Sequence, residues 1–238
     1  MSAISLRPRL AELLRRLGWF YSSALAVATA SLWAFAELAE EVIARRFAPF
    51  DRWVVLGMHT QAHPILDRLA LVAAMVGDVE GIIIMGALFG AWLLRRDRYL
   101  DAATLAAVLA GAGVLTYTLK LAFQQPRPAL YTQLVKEVTF SFPTGHALNA
   151  FALFGFIAWW LVAQAPRSAG RWLAAAALVA LAAAIAVSRV YLGVHWPTDV
   201  VAGAIVAIFW LTICLIGRHW IARRRPAAPQ DTEAVPPK

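Results

Sequence analysis

Three short polar segments hold the residues of this chain that could do chemistry. They are residues 120–128 (KLAFQQPRP), 141–146 (SFPTGH) and 188–199 (SRVYLGVHWPTD). Together they supply Lys120, Arg127 and Arg189, the imidazoles of His146 and His195, and the carboxylate of Asp199. Phosphate-ester cleavage calls for such a set. Cations hold the phosphoryl oxygens, one imidazole attacks phosphorus, and a second protonates the leaving oxygen.

Each segment has its own local logic. Lys120 ends a hydrophobic run, and Pro126 and Pro128 stop the helix and hold Arg127 extended between them. A compact ammonium and a planar guanidinium can grip different oxygens of one phosphate. In the second segment, Pro143 suits the first turn of a helix, which predicts a start over residues 143–146. The free amides and dipole of that start form an anion site. Gly145 lets the backbone come close to an oxyanion, Thr144 adds a hydroxyl donor, and His146 sits at the helix mouth. In the third segment, Ser188 and Arg189 close one helix. His195 lies in an extended turn before Trp196-Pro197, and Asp199 falls in the first turn of the next helix. The carboxylate can then bond one ring nitrogen of His195 and leave the other as a lone pair. Taken singly, each segment has an ordinary explanation: a snorkelling lysine, a capped helix start, or an acid at a helix N-terminus. The argument for chemistry is that all three meet on one side of the molecule.

That meeting depends on what separates the segments. The chain has 238 residues, of which 61% are hydrophobic and 15% charged, where a soluble domain carries about 25% charged residues. With a mean hydropathy of +0.64, this indicates a membrane protein. The net charge of +8 lies in short clusters between apolar runs, which reads as membrane topology and not as a nucleic-acid surface. The single cysteine, Cys214, rules out an intrachain disulfide. Six runs approach the roughly 20 residues of a helical crossing, near 18–36, 69–94, 100–123, 147–164, 172–188 and 199–217. The expected fold is therefore all-α: a polytopic bundle of six transmembrane helices over residues 1–225, with a disordered cytoplasmic tail at 226–238.

The second run is broken at residues 77–81, so its helix is expected to start near Val79, with residues 66–76 lying shallow. Asp78 and Glu80 are assigned to that break and not to substrate. Residues 37–65 read as a loop with an amphipathic interfacial part, since Phe47, Phe50 and Trp53 alternate with Arg45, Arg46 and Arg52. His59, His63 and His219 read as interfacial, and Trp196 as a wall of the site. The first apolar run exceeds a signal-peptide core and reads as a retained helix. Fourteen of the 22 basic residues fall on the side of both termini. The positive-inside rule places that side in the cytoplasm and all three polar segments outside it.

The three boxes resemble those of the type 2 phosphatidic acid phosphatase superfamily, which includes bacterial membrane lipid phosphatases and soluble vanadium haloperoxidases. The matching residues are Lys120 and Arg127; Pro143, Gly145 and His146; and Ser188, Arg189, His195 and Asp199. Thr144 departs from the usual serine but keeps the hydroxyl. The resemblance implies a phosphohistidine mechanism with His195 as nucleophile, Asp199 orienting it, and His146 as acid and then base. Lys120, Arg127, Arg189, Thr144, Gly145 and Ser188 would bind phosphate. No metal and no cofactor are expected. The implied partners are the bilayer and a membrane lipid phosphate, with no nucleic acid and no indication of oligomeric state. Candidate substrates are undecaprenyl pyrophosphate, phosphatidylglycerophosphate, phosphatidic acid and lipid A phosphate. The implied location is a bacterial plasma membrane. A lipid phosphotransferase using the same site and a phosphate or phospholipid transporter are the alternatives. Six apolar runs exclude a soluble haloperoxidase.

Overall fold

A computed structural model describes residues 6–224 as eight α-helices in the order α1 (Leu6–Ile43), α2 (Ala48–His59), α3 (Pro64–Gly77), α4 (Val79–Arg95), α5 (Tyr99–Phe123), α6 (Gly145–Gln164), α7 (Ala169–Tyr191) and α8 (Pro197–Arg224). Among the described residues there is no strand. Five helices are long and apolar enough to cross a membrane, or six if α3 and α4, bent by 57° at their junction, count as one span. The expected all-α polytopic fold is present. The 226–238 tail lies outside the described residues.

The bundle is apolar inside and outside. Leu148, Leu153, Phe156, Val108 and Ile185 are fully buried in its main core, while Trp33, Ile83, Leu88 and Leu173 face outward. A helix apolar on all sides suits a hydrocarbon environment. α6 is the central element and packs on α5, α7 and α8, and α1 lies against α8.

Three boundaries differ from the sequence reading. The first helix continues to Ile43 because Leu38, Ala39 and Val42 still face the cluster built on Phe142 and Ala202. The expected 37–65 loop is therefore largely helical, and its amphipathic part is α2. Asp51 and Val55 on α2 are buried, while Phe50 and Trp53 face outward. The broken run begins a helix at Val79 as expected, but the residues before it form the regular helix α3. Asp78 caps α4, its Oδ1 accepting the Val79 N–H at 2.8 Å. Glu80 sits exposed in the first turn.

Two contacts hold the second polar segment in place. Phe142 is fully buried, stacked on Phe35 of α1 at 5.9 Å and edge-on to Phe123 of α5 at 4.9 Å between centroids. Gly203 brings α8 against the start of α6, where a Cβ would lie 2.7 Å from the Thr144 carbonyl oxygen and 3.0 Å from Ala147 Cβ. At the other end, Asp101 ties three helices by accepting from Arg218 Nε of α8 at 2.6 Å and Trp160 Nε1 of α6 at 3.1 Å. Gly203→Val should lower the melting temperature in detergent, since overpacking costs about 1–3 kcal/mol. An unchanged melting temperature would show that the α6–α8 contact relaxes freely.

Candidate active site

The catalytic geometry is built on one carboxylate oxygen. Asp199, fully buried in the first turn of α8, has its Oδ2 within 3.2 Å of His195 Nδ1. The same oxygen accepts the Trp196 N–H at 2.8 Å and the hydroxyl of Ser141. Ser141 Oγ also lies 3.2 Å from His195 Nδ1. Because the serine proton points to Asp199, Nδ1 must donate, which assigns the tautomer with the proton on Nδ1 and the lone pair on Nε2. That Nε2 faces Arg127 Nη1 at 2.9 Å. Buried among Arg127, Arg189 and Lys120, the His195 imidazole is held well below its usual value of 6.5, burial being the largest cause. The ring is neutral, with its Nε2 lone pair aimed at a cation.

Arg127 owes its position to a dense set of acceptors. Its Nε donates to the Thr139 carbonyl at 2.7 Å, its Nη1 to the Val194 carbonyl at 2.8 Å, and its Nη2 to Thr139 Oγ1 at 3.0 Å. Glu137 bridges the cations, with one oxygen on Arg189 and the other 3.4 Å from Arg127. Burial pushes the Arg127 guanidinium down and Glu137 pushes it back up. Lys120 Nζ donates to Thr139 Oγ1 at 2.9 Å. The 124–142 loop that carries Arg127, Glu137 and Thr139 starts where Gln124 ends α5 in the left-handed conformation, φ 47°. It is clamped by Gln133, which donates to the carbonyls of Pro128 at 2.5 Å and Gly193 at 2.6 Å. Gly193, at φ +70°, has no room for a side chain, since Tyr131 packs against it.

The second segment corrects one expectation. Pro143 lies outside the helix, which begins at Gly145 with Thr144 as an extended N-cap. Ser141 and Phe142 are pinned, and the Thr144 N–H donates to the Asp199 carbonyl at 3.1 Å, so the chain turns helical only after Thr144. The first intrahelical bond there is Leu148 N–H to the Thr144 carbonyl at 3.2 Å. The amides of Gly145, His146 and Ala147 precede it and have no intrahelical acceptor. Among the described residues, Thr144 Oγ1 and Arg189 Nε are buried donors without a partner, and Asp199 Oδ1 is a buried oxygen without one.

His195, His146, Gly145, Lys120 and Arg127 line one cavity of about 480 Å³, with Glu137 and Thr139 at its polar end. Arg189, Thr144 and Asp199 stand behind that lining. Ser188 is not brought in, because its hydroxyl donates to the Ile185 carbonyl at 2.7 Å within α7. The sequence reading missed Ser141, Thr139, Glu137 and Asp51. Glu137 carried a signal as the one acid between Asp101 and Asp199. Asp51 carried none. Its carboxylate caps α8 from α2, accepting Thr198 N–H at 3.1 Å and Thr198 Oγ1 at 2.7 Å across 147 positions. Among the described residues, no cluster of three His, Cys, Asp or Glu side chains could hold a metal ion.

Fold and site together define a membrane-embedded helical phosphatase. The chain belongs to the PAP2 superfamily, which residues 101–223 match, and it is a hydrolase of phosphate esters. It is 35% identical over 141 residues to phosphatidylglycerophosphatase B of Bacillus subtilis (strain 168), covering 59% of this chain and 69% of that protein. The crystal structure of a transmembrane PAP2 type phosphatidylglycerolphosphate phosphatase from Bacillus subtilis superposes with a TM-score of 0.77 at 25% identity, over 83% of this chain and 98% of the other. Aquifex aeolicus LpxE shares the fold, with a TM-score of 0.57 at 24% identity over 70% of this chain and 95% of the other.

Two measurements probe the His195 network. Ser141→Ala should lower kcat by about tenfold with little change in KM, the size of one lost hydrogen bond to a charged group; a change in KM alone would count against positioning by Ser141. Histidine NMR, with the His195 signal assigned by its loss in His195→Ala, should show a neutral ring protonated on Nδ1 at about pH 6. A charged His195 ring at that pH would contradict the burial argument.

Proposed function

We propose that the chain removes phosphate from a membrane lipid through a phosphohistidine formed on His195 Nε2. What supports this is the pairing of that lone pair with Arg127 at 2.9 Å, while Asp199 and Ser141 hold the opposite nitrogen. An incoming phosphoryl group takes over Arg127 and Arg189 from Glu137, and its oxygens also meet Lys120, Thr144 Oγ1 and the amides at the start of α6. His195 attacks phosphorus, and the P–O bond to the lipid breaks. His146 gives its proton to the departing oxygen. The phospho-imidazolium charge is offset by Asp199. His146 then takes a proton from water, whose oxygen attacks phosphorus, releasing phosphate and restoring His195.

The cavity explains how a lipid could reach this centre. Val79, Ile83 and Tyr117 line it and are also exposed on the outer surface of the bundle. It therefore runs from a cationic end to an apolar flank between α4 and α5. A headgroup can enter there while its chains stay in hydrocarbon. The basic-residue asymmetry favours both termini in the cytoplasm of a bacterial plasma membrane and the site on the opposite face.

The purified protein should release phosphate from a lipid phosphate in the presence of EDTA. His195→Ala should cut turnover by at least about a thousandfold, and His146→Ala by roughly 10²–10⁴. Undiminished hydrolysis by His195→Ala, or loss of activity on chelation, would overturn the mechanism.

A further inference from the structure

The catalytic cavity contains polar groups that the chemistry above does not use. Lys120, Tyr117, Thr116, Gly113 and Leu109 of α5 line it turn after turn. At a rise of 1.5 Å per residue, Thr116 lies about 6 Å below Lys120 along the axis and Leu109 about 16 Å below. Asn149, one turn after His146 on α6, lines the same cavity. Thr116 and Asn149 flank the start of α6, since a Cβ on Gly145 would lie 2.9 Å from Thr116 Cγ2 and 3.8 Å from Asn149 Nδ2. The cavity is thus cationic at Lys120, polar at Thr116 and Asn149, and apolar from Gly113 to Leu109.

Thr116 differs from the other two threonines of α5 and from Thr212 of α8. Thr104, Thr118 and Thr212 each donate to the carbonyl four residues back, at 2.7–2.8 Å. Thr116 Oγ1 is buried and has no protein partner. The Asn149 side chain has none among the described residues either. Polar groups at this depth are costly unless something satisfies them. One hydroxyl and one amide supply both donors and acceptors.

We propose that Thr116 and Asn149 read the unit that carries the phosphate, and select lipids in which that unit is a glycerol over prenyl monophosphates. This rests on the lipid-phosphatase reading above. In a glycerolipid the atoms next to the phosphate carry hydroxyl, ester or phosphodiester oxygens, which fall at the depth of Thr116 and Asn149. Beyond its single phosphate a prenyl monophosphate carries only hydrocarbon, and would leave both side chains unsatisfied where a bilayer offers no water.

The test is the ratio of kcat/KM for phosphatidylglycerophosphate to that for undecaprenyl monophosphate, in mixed micelles of fixed composition. Thr116→Val keeps the branched shape beside Gly145 and removes only the hydroxyl; Asn149→Leu keeps the volume and removes the amide. Each should lower the ratio about tenfold, the size of one lost hydrogen bond. Thr116→Ser, which retains the hydroxyl, should keep the ratio near that of the wild type and so separates lost recognition from disturbed packing. A wild type that prefers the prenyl monophosphate, or variants that leave the ratio unchanged, overturns the assignment. Release of phosphate from neither lipid by the wild type overturns instead the lipid-phosphatase reading beneath it.

Discussion

A single buried oxygen, Asp199 Oδ2, is what the rest of the site is arranged around. Three donors converge on it: the Ser141 hydroxyl, the Trp196 amide and His195 Nδ1. They belong to the segment before α6 and the turn before α8, so this carboxylate binds two polar segments into one unit. Its own backbone carbonyl holds Thr144 and thereby fixes where α6 begins. The first segment, residues 120–128, joins from the other side of the ring, through Arg127. Asp199 Oδ1 has no partner among the described residues, so the donors on Oδ2 are what offset the cost of burying this group, and they position the histidine.

The cations pose the complementary problem. Lys120, Arg127 and Arg189 repel one another in a poorly solvated pocket, and Glu137 offsets much of that repulsion. In the proposed reaction the same carboxylate would compete with a phosphate for both guanidiniums. Binding would then be an exchange of anions, not the filling of a bare positive hole. That keeps the resting site stable without making it tight for every passing anion.

Much of this was legible in the sequence because the chemistry is local. Lys120 and Arg127, Gly145 and His146, and His195 and Asp199 are each separated by at most seven positions, and local geometry decides what such neighbours can do. The apolar runs fixed the helical class for the same reason. What was not legible depends on long-range packing. Nothing near Asp51 announces that it caps a helix 147 residues away. The continuation of α1 past residue 36 depends on Leu38, Ala39 and Val42 meeting Phe142. Ser188 shows the converse: its position matched a motif, but its hydroxyl is taken by the carbonyl one turn back. Motif spacing identifies residues, and only the fold decides which of their atoms remain available.

The flank of the cavity between α4 and α5, where Val79, Ile83 and Tyr117 meet the outer surface, has a kinetic consequence. A substrate that arrives through that flank never crosses bulk water. The concentration that governs turnover is then a mole fraction within the leaflet, and the encounter is a two-dimensional search. Diluting the lipid with inert neighbours slows such an enzyme, even when every litre of solution holds the same amount of substrate.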